Sequence, residues 1–169
     1  MKNKIFNSKI EFGGGAFLEK RKTARPFNKN KPIHTIFRSE NARGKYSLIR
    51  YRAKIEILLH QLCDKHSIQI LEFANVRTHL HLLLKSNKKK KFQNFLKEFS
   101  SKIALYIYAG KGKFWTSIVY TKLVVGEFHL KNVLNYILQN RLESLGIIST
   151  QPRGMGCLKH KSFIILDST

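Results

Sequence analysis

Residues 77–85 read RTHLHLLLK, and this stretch restricts the possible folds more tightly than any other part of the chain. Successive side chains of an extended strand point to opposite faces. Leu80, Leu82 and Leu84 therefore share one face, and His79 and His81 share the other. The leucine face demands an apolar layer, so the segment calls for a sheet with helices packed against it. Neutral imidazole is a poor core filler and a good metal ligand. On their own face, two rings one residue apart are close enough to bind one metal ion. An isolated His-x-His pair is equally compatible with ordinary surface histidines, so the rest of the chain has to decide.

The flanking sequence supplies the remainder of such a sheet. After Pro32, IHTIFR (33–38) is rich in β-branched and aromatic residues and predicts a strand. Ser47 stands where an N-cap belongs, and Leu48, Tyr51, Ile55, Leu58, Leu59 and Leu62 follow at helical spacing. SIQILEFAN (67–75) predicts a strand joined by a short turn to THLHLLLK (78–85). Next, Phe92, Phe95, Leu96, Phe99, Ile103 and Ile107 line one helical face, with Gly110 and Gly112 as the stop. SIVYTKLVV (117–125) is strongly β-forming. A last helix is predicted from Glu127 to Glu143, closing near Gly146. The order β-α-β-β-α-β plus a helix is an α+β arrangement: a ferredoxin-like antiparallel sheet with two helices on one face and the other face free. That fold hosts RNA binders, metal carriers and enzymes alike, so function must come from the site.

A chain of 169 residues suits one domain. Residues 1–31, rich in Lys and Arg and carrying GGG at 13–15, are expected to be a basic flexible arm. Residues 32–147 form the folded domain and 148–169 an appended tail. Lys and Arg number 32 against 10 Asp and Glu, a formal net charge of +22. Such an excess repels itself unless a polyanion is the working partner, which points to nucleic acid. Lys20, Arg21, Lys22 and Arg25 in the arm, and Lys88, Lys89, Lys90 and Lys91, are the candidate phosphate contacts. The lysine run opens a helix, where positive charge opposes the macrodipole, so local stability does not account for it. The longest apolar run, IALYIYA (103–109), is too short to cross a bilayer, so no membrane is expected as partner. Cys63 and Cys157 form no CxxC pair and the N-terminus has no export-signal pattern. A cytoplasmic location is the expectation.

The acids are scattered, with no DxD or ExxE pairing among Glu56, Asp64, Glu72, Glu98 and the rest. That argues against a two-metal nuclease built on clustered carboxylates. The last helix offers different chemistry. Leu130, Val133, Leu134 and Ile137 form its apolar stripe, while Tyr136 and Asn140, four apart, lie one above the other on its flank. Gln139 falls further round, toward solvent. A tyrosine bordering a core is ordinarily amphipathic packing. Asn140 beside it carries an amide oxygen able to complete a His-His-Asn metal site.

THLHLLL, followed some fifty residues later by YILQNRLESLG, resembles the single-tyrosine HUH transposases. These are the insertion-sequence-200-like proteins, including the REP-associated tyrosine transposases of bacteria. FWTSIVYTKLV (114–124) also resembles the segment that these proteins carry before the tyrosine helix. The resemblance covers roughly residues 32–147 and makes that span a transposase-like catalytic domain. It implies His79, His81 and Asn140 as ligands of Mg²⁺ or Mn²⁺ and Tyr136 as the nucleophile. The partner it implies is single-stranded or hairpin DNA. Cleavage would pass through a covalent 5′-phosphotyrosine, with a 3′-OH freed for rejoining. The tyrosine helix must then lie against the histidine face, from the same subunit or from the partner in a homodimer. Two departures are visible: Thr78 stands where many relatives carry Asn, and NRLESLG lacks the Pro often seen after the Asn. They leave open a catalytically inactive, domesticated nucleic-acid-binding module of the same fold. A small RNA binder would present aromatics on its open strands, whereas residues 78–85 present histidines and leucines.

Overall fold

The computed structural model describes residues 12–13, 24–109 and 111–150. Four strands, β2 (Ile33–Arg38), β3 (Ile68–Val76), β4 (His79–Ser86) and β5 (Tyr120–Leu123), form an antiparallel sheet, and β1 (Phe12–Gly13) extends its edge. The order across the sheet is β1-β5-β2-β4-β3. Among the described residues, three α-helices accompany it: α1 (Arg52–His66), α2 (Lys89–Tyr108) and α3 (Glu127–Ser144). This is the mixed α and β architecture expected from the sequence.

β4 lies inside the sheet, paired with β2 on one side and β3 on the other. Its period-2 pattern divides as anticipated. Leu80, Leu82 and Leu84 are fully buried with Ile33 and Phe37 of β2 against α1 and α2. The whole apolar stripe of α2, from Phe92 to Ile107, is buried in the same cluster. Each such side chain contributes about 1.5–3 kcal/mol through removal of apolar surface from water. Phe95 and Phe99 stack at 5.4 Å, and Phe37 meets Phe99 edge-on at 5.3 Å.

The opposite face of the sheet, free in the bare ferredoxin-like arrangement, is covered by the last helix, as the resemblance required. Ala74, Leu83 and Val124 point there, and leaving them wet would forfeit their burial. α3 covers them with Val133 and Ile137, flanked by Leu130 and Leu134. Gly126 redirects the chain from β5 into α3 at φ 80 and ψ 155, a conformation strained for any residue with a Cβ. Glu127 then sits in the first turn, where the helix dipole favours an anion. Arg141 of α3 is anchored to Glu72 of β3 at 3.4 Å.

Several boundaries move for identifiable reasons. Ser47 caps nothing with its side chain. The chain opens with a 3-10 turn over Leu48–Tyr51, because the Leu48 N–H is drawn to the carbonyl of Arg77 at 2.9 Å. α2 stops at Tyr108 with Ala109 in the left-handed cap position at φ 42; Gly110 lies outside the described residues. Of 117–125, only Tyr120–Leu123 is strand, since the Val119 carbonyl accepts a hydrogen bond from the Arg25 guanidinium at 2.7 Å. Within residues 1–31, the described pieces make contacts with the domain. Phe12 and Gly13 pair with Lys122 and Thr121, and Phe27 packs on Phe92 at 6.2 Å. Lys20, Arg21, Lys22 and residues 151–169 of the tail lie outside the described residues. Among the described residues, no helix is long and apolar enough to cross a membrane.

Candidate active site

The site is built on the first and third residues of β4. In register, His79 faces Arg38 of β2 and Val76 of β3, while His81 faces Ile36 and Ala74. The two imidazoles are 4.7 Å apart between centroids, at 79°. His81 is only 2% exposed, whereas His79 is half-buried at the rim. The small side chain of Ala74 beside His81 leaves room for α3 to approach.

α3 brings Tyr136 over His81, with its ring 5.2 Å from that of His81 and perpendicular to it at 89°. One turn further on, Asn140 is 1% exposed. Its Nδ2 donates to the Tyr136 carbonyl at 2.6 Å. Its Oδ1 is buried with no hydrogen-bond partner among the described residues, an arrangement that costs about 1–3 kcal/mol and calls for an explanation. Gln139 turns away and donates to Glu143 at 2.8 Å. The helical phase therefore puts Asn140, rather than Gln139, on the sheet side.

A third histidine joins them. His34 on β2 stacks against His81, with ring centroids 5.6 Å apart at 22° and His34 Nε2 3.3 Å from His81 Nδ1. It also meets Tyr136 edge-on at 6.2 Å. Burial, assisted by His129 and Lys122, lowers its pKa to about 4, so the ring is neutral at neutral pH. On the other ligand candidate, Thr78 Oγ1 lies 3.1 Å from His79 Nδ1. The sequence reading missed His34, taking IHTIFR only as a strand. A lone histidine in an otherwise β-forming run was the available signal, but its neighbour depends on strand register.

Among the described residues, no group of three or more His, Cys, Asp and Glu could hold a metal ion. Any three-ligand set here needs a different donor, and the Asn140 amide oxygen fits that need. His79, His81 and Asn140 are neutral donors and would leave a bound divalent cation its full charge. The nearby acid, Glu72, is already paired with Arg141.

The candidate phosphate contacts are dispersed. Lys88, Lys89 and Lys90 are exposed, and Lys91 donates to Ser67 at 2.8 Å. They follow Ser86, at the end of β4 away from the histidines. Five strand residues beyond His81 amount to roughly 16 Å. Arg25 is tied to the Val119 carbonyl. By contrast, Arg38 pairs across from His79, and exposed Arg77 sits in the turn just before it at φ 27.

A family model described as Transposase IS200 like matches residues 28–140, from just before β2 to Asn140. Among solved structures, the chain is similar to a REP-associated tyrosine transposase bound to a REP hairpin. The identity is 13%, the TM-score 0.60, and 72% of each chain is covered; the likeness is one of fold. A protein of Deinococcus radiodurans R1, named as a candidate transposase, is 17% identical over 71% of this chain and 98% of that chain, with a TM-score of 0.44. No curated protein sequence matches the chain.

Proposed function

The chain belongs to the IS200-like transposase family, and on that premise we propose that it cuts and rejoins single-stranded DNA through Tyr136, beside a divalent metal held by His79, His81 and Asn140. The observation that carries this reading is the placement of the Tyr136 ring 5.2 Å from His81, with the unpaired Oδ1 of Asn140 one helical turn away. A nucleophile and neutral oxygen and nitrogen donors are then carried on β4 and on the helix packed against it. The hairpin carried by the structurally similar transposase supports hairpin-bearing DNA as the substrate to try first.

The chain's own groups divide the work. A bound Mg²⁺ or Mn²⁺ would polarise a non-bridging phosphate oxygen and stabilise the charge that develops there. His79 and His81 present ring nitrogens from one strand face, and Asn140 adds its amide oxygen from α3. The Tyr136 phenol oxygen attacks phosphorus. A bond forms between Oη and phosphorus while the bond to the 3′ oxygen breaks. The phenol proton is released and the 3′ oxygen takes one up. The products are a 5′-phosphotyrosine and a free 3′-OH, and attack by a 3′-OH of another strand reverses the step.

The test is a denaturing gel after incubation of the protein with hairpin-bearing single-stranded DNA and Mn²⁺. A protein–DNA adduct that requires the metal and is lost in Tyr136→Phe is the expected result. An adduct that persists in Tyr136→Phe overturns the assignment. Salt-dependent binding without an adduct under either metal would return the inactive nucleic-acid-binding module.

A further inference from the structure

We propose that His34 is a positioning residue for this reaction: its Nε2 accepts the Nδ1–H of His81 and so holds His81 in the tautomer whose Nε2 lone pair is available to the metal. This rests on the metal reading of His79, His81 and Asn140 given above and adds a residue to it.

The argument is one of proton placement. A neutral imidazole carries one N–H and one lone pair, and a hydrogen bond at one nitrogen decides what the other can do. The 3.3 Å contact between His34 Nε2 and His81 Nδ1 admits one proton between the rings. If His34 donated it, His81 Nδ1 would be the acceptor, and His81 would carry its own proton on Nε2. No lone pair of His81 would then remain for a cation. If His81 donates, its Nε2 is a ligand and His34 is the acceptor. Only the second arrangement is compatible with a metal on His81. Metal-bound histidines ordinarily have such a partner on the second nitrogen, which fixes both ring orientation and basicity.

The fold holds His34 to this task. It occupies β2 in register with Leu83, so its side chain reaches diagonally toward His81 on the same face. The near-parallel stack at 22° and 8% exposure leave the ring little freedom. An imidazole accepts at Nε2 wherever its own proton sits on Nδ1, and the 3.3 Å contact places the His34 Nε2 opposite His81 Nδ1. His79 is served in the same manner from the other side, where Thr78 Oγ1 stands 3.1 Å from its Nδ1. The two ligand candidates thus have partners of different chemistry, a ring nitrogen and a hydroxyl. Removal of one should not disable the other.

Mn²⁺ binding by the full-length protein without DNA, followed by the electron paramagnetic resonance of free Mn²⁺, separates these ideas from activity. His34→Leu keeps volume and removes the acceptor; His34→Gln keeps a carbonyl oxygen near the former Nε2. His34→Leu should weaken Mn²⁺ binding by about 10- to 100-fold, and His34→Gln should recover most of that loss. Binding lost in His81→Ala but unchanged in His34→Leu overturns the role of His34 while leaving the metal site standing. Wild-type protein that binds no Mn²⁺, or binds it equally well as His81→Ala, overturns both. A second measurement needs no variant: imidazole ¹⁵N shifts of the metal-free wild type should place the His81 proton on Nδ1. A proton on Nε2 overturns the proposal.

Discussion

The rings of His81 and Tyr136 meet at right angles, 5.2 Å apart, although one comes from an inner strand and the other from the last helix. Both residues belong to one chain, so no partner subunit is needed to bring nucleophile and ligand candidates together. Mixing Tyr136→Phe with a His79→Ala, His81→Ala variant should therefore restore no cleavage. Recovery of the adduct in the mixture would mean that α3 is exchanged between two copies in solution.

Asn140 and Gln139 are adjacent in sequence and face different surroundings. Asn140→Ala should lower metal-dependent cleavage at least about tenfold, with the Mn²⁺ midpoint displaced upward. Its cost in thermal stability should be small, because the lost bond to the Tyr136 carbonyl is offset by removal of a buried unpaired oxygen. Gln139→Ala should leave cleavage intact, since that side chain is engaged with Glu143. The reverse pattern in a metal titration would refute the assigned helix face.

Ile137 is fully buried beneath α3, in the cluster that fastens this helix to β3 and β4. Ile137→Ala should destabilise the protein by about 2–5 kcal/mol in urea unfolding. Because the same contact sets the height of Tyr136 over His81, cleavage should fall even under conditions where the variant is fully folded. Phe99→Ala, in the other cluster, should cost about 3–5 kcal/mol with no comparable effect on the folded fraction's cleavage rate.

Two basic regions should separate in their effects on DNA. Alanine at Lys88, Lys89 and Lys90 should weaken binding to all sequences alike and flatten the dependence of log K on log salt. Arg38→Ala and Arg77→Ala, at the histidine end of the sheet, should slow adduct formation at saturating DNA as well. Equal loss of cleavage rate from the lysine variants at saturation would contradict this division.

Glu98 links α1 and α2 by accepting hydrogen bonds from Lys65, His66 and Lys102, which hold its carboxyl at about 2, below the ordinary 4.5. A depressed carboxyl contributes stability that is fully present above its unfolded value and is lost as pH falls through the folded one. The difference in melting temperature between wild type and Glu98→Gln should therefore be fully developed above pH 4.5. It should shrink as pH falls from 4.5 toward 2, and added salt should reduce it at every pH because the cluster is partly exposed. A gap that widens on acidification would reverse the sign argued here.

Much of this molecule is determined by local pattern. The alternation in RTHLHLLLK assigns Leu80, Leu82 and Leu84 to one face and His79 and His81 to the other, because strand geometry has a period of two. The spacing of Phe92 to Ile107 assigns one buried helix face for the corresponding reason. The phase of α3 likewise separates Asn140 from Gln139 before any contact is known. Where a backbone group found a distant partner, local rules failed. Leu48 is drawn to Arg77, so Ser47 is no cap, and Arg25 occupies the Val119 carbonyl, so the fifth strand starts late.

What only the tertiary structure decided is which faces meet. His34 and His81 lie on strands paired antiparallel, and a shift of one residue in that register would turn His34 to the opposite side of the sheet. The landing of α3 on the histidine face follows from apolar residues of three separate segments, Ala74, Leu83 and Val124, that no one segment displays together. The unpaired oxygen of Asn140 is a property of its packed surroundings, and so is the low pKa of His34. Sequence patterns act over one or two turns or a few strand residues, whereas a site with a strand on each side and a helix above is fixed by burial and register across the whole sheet.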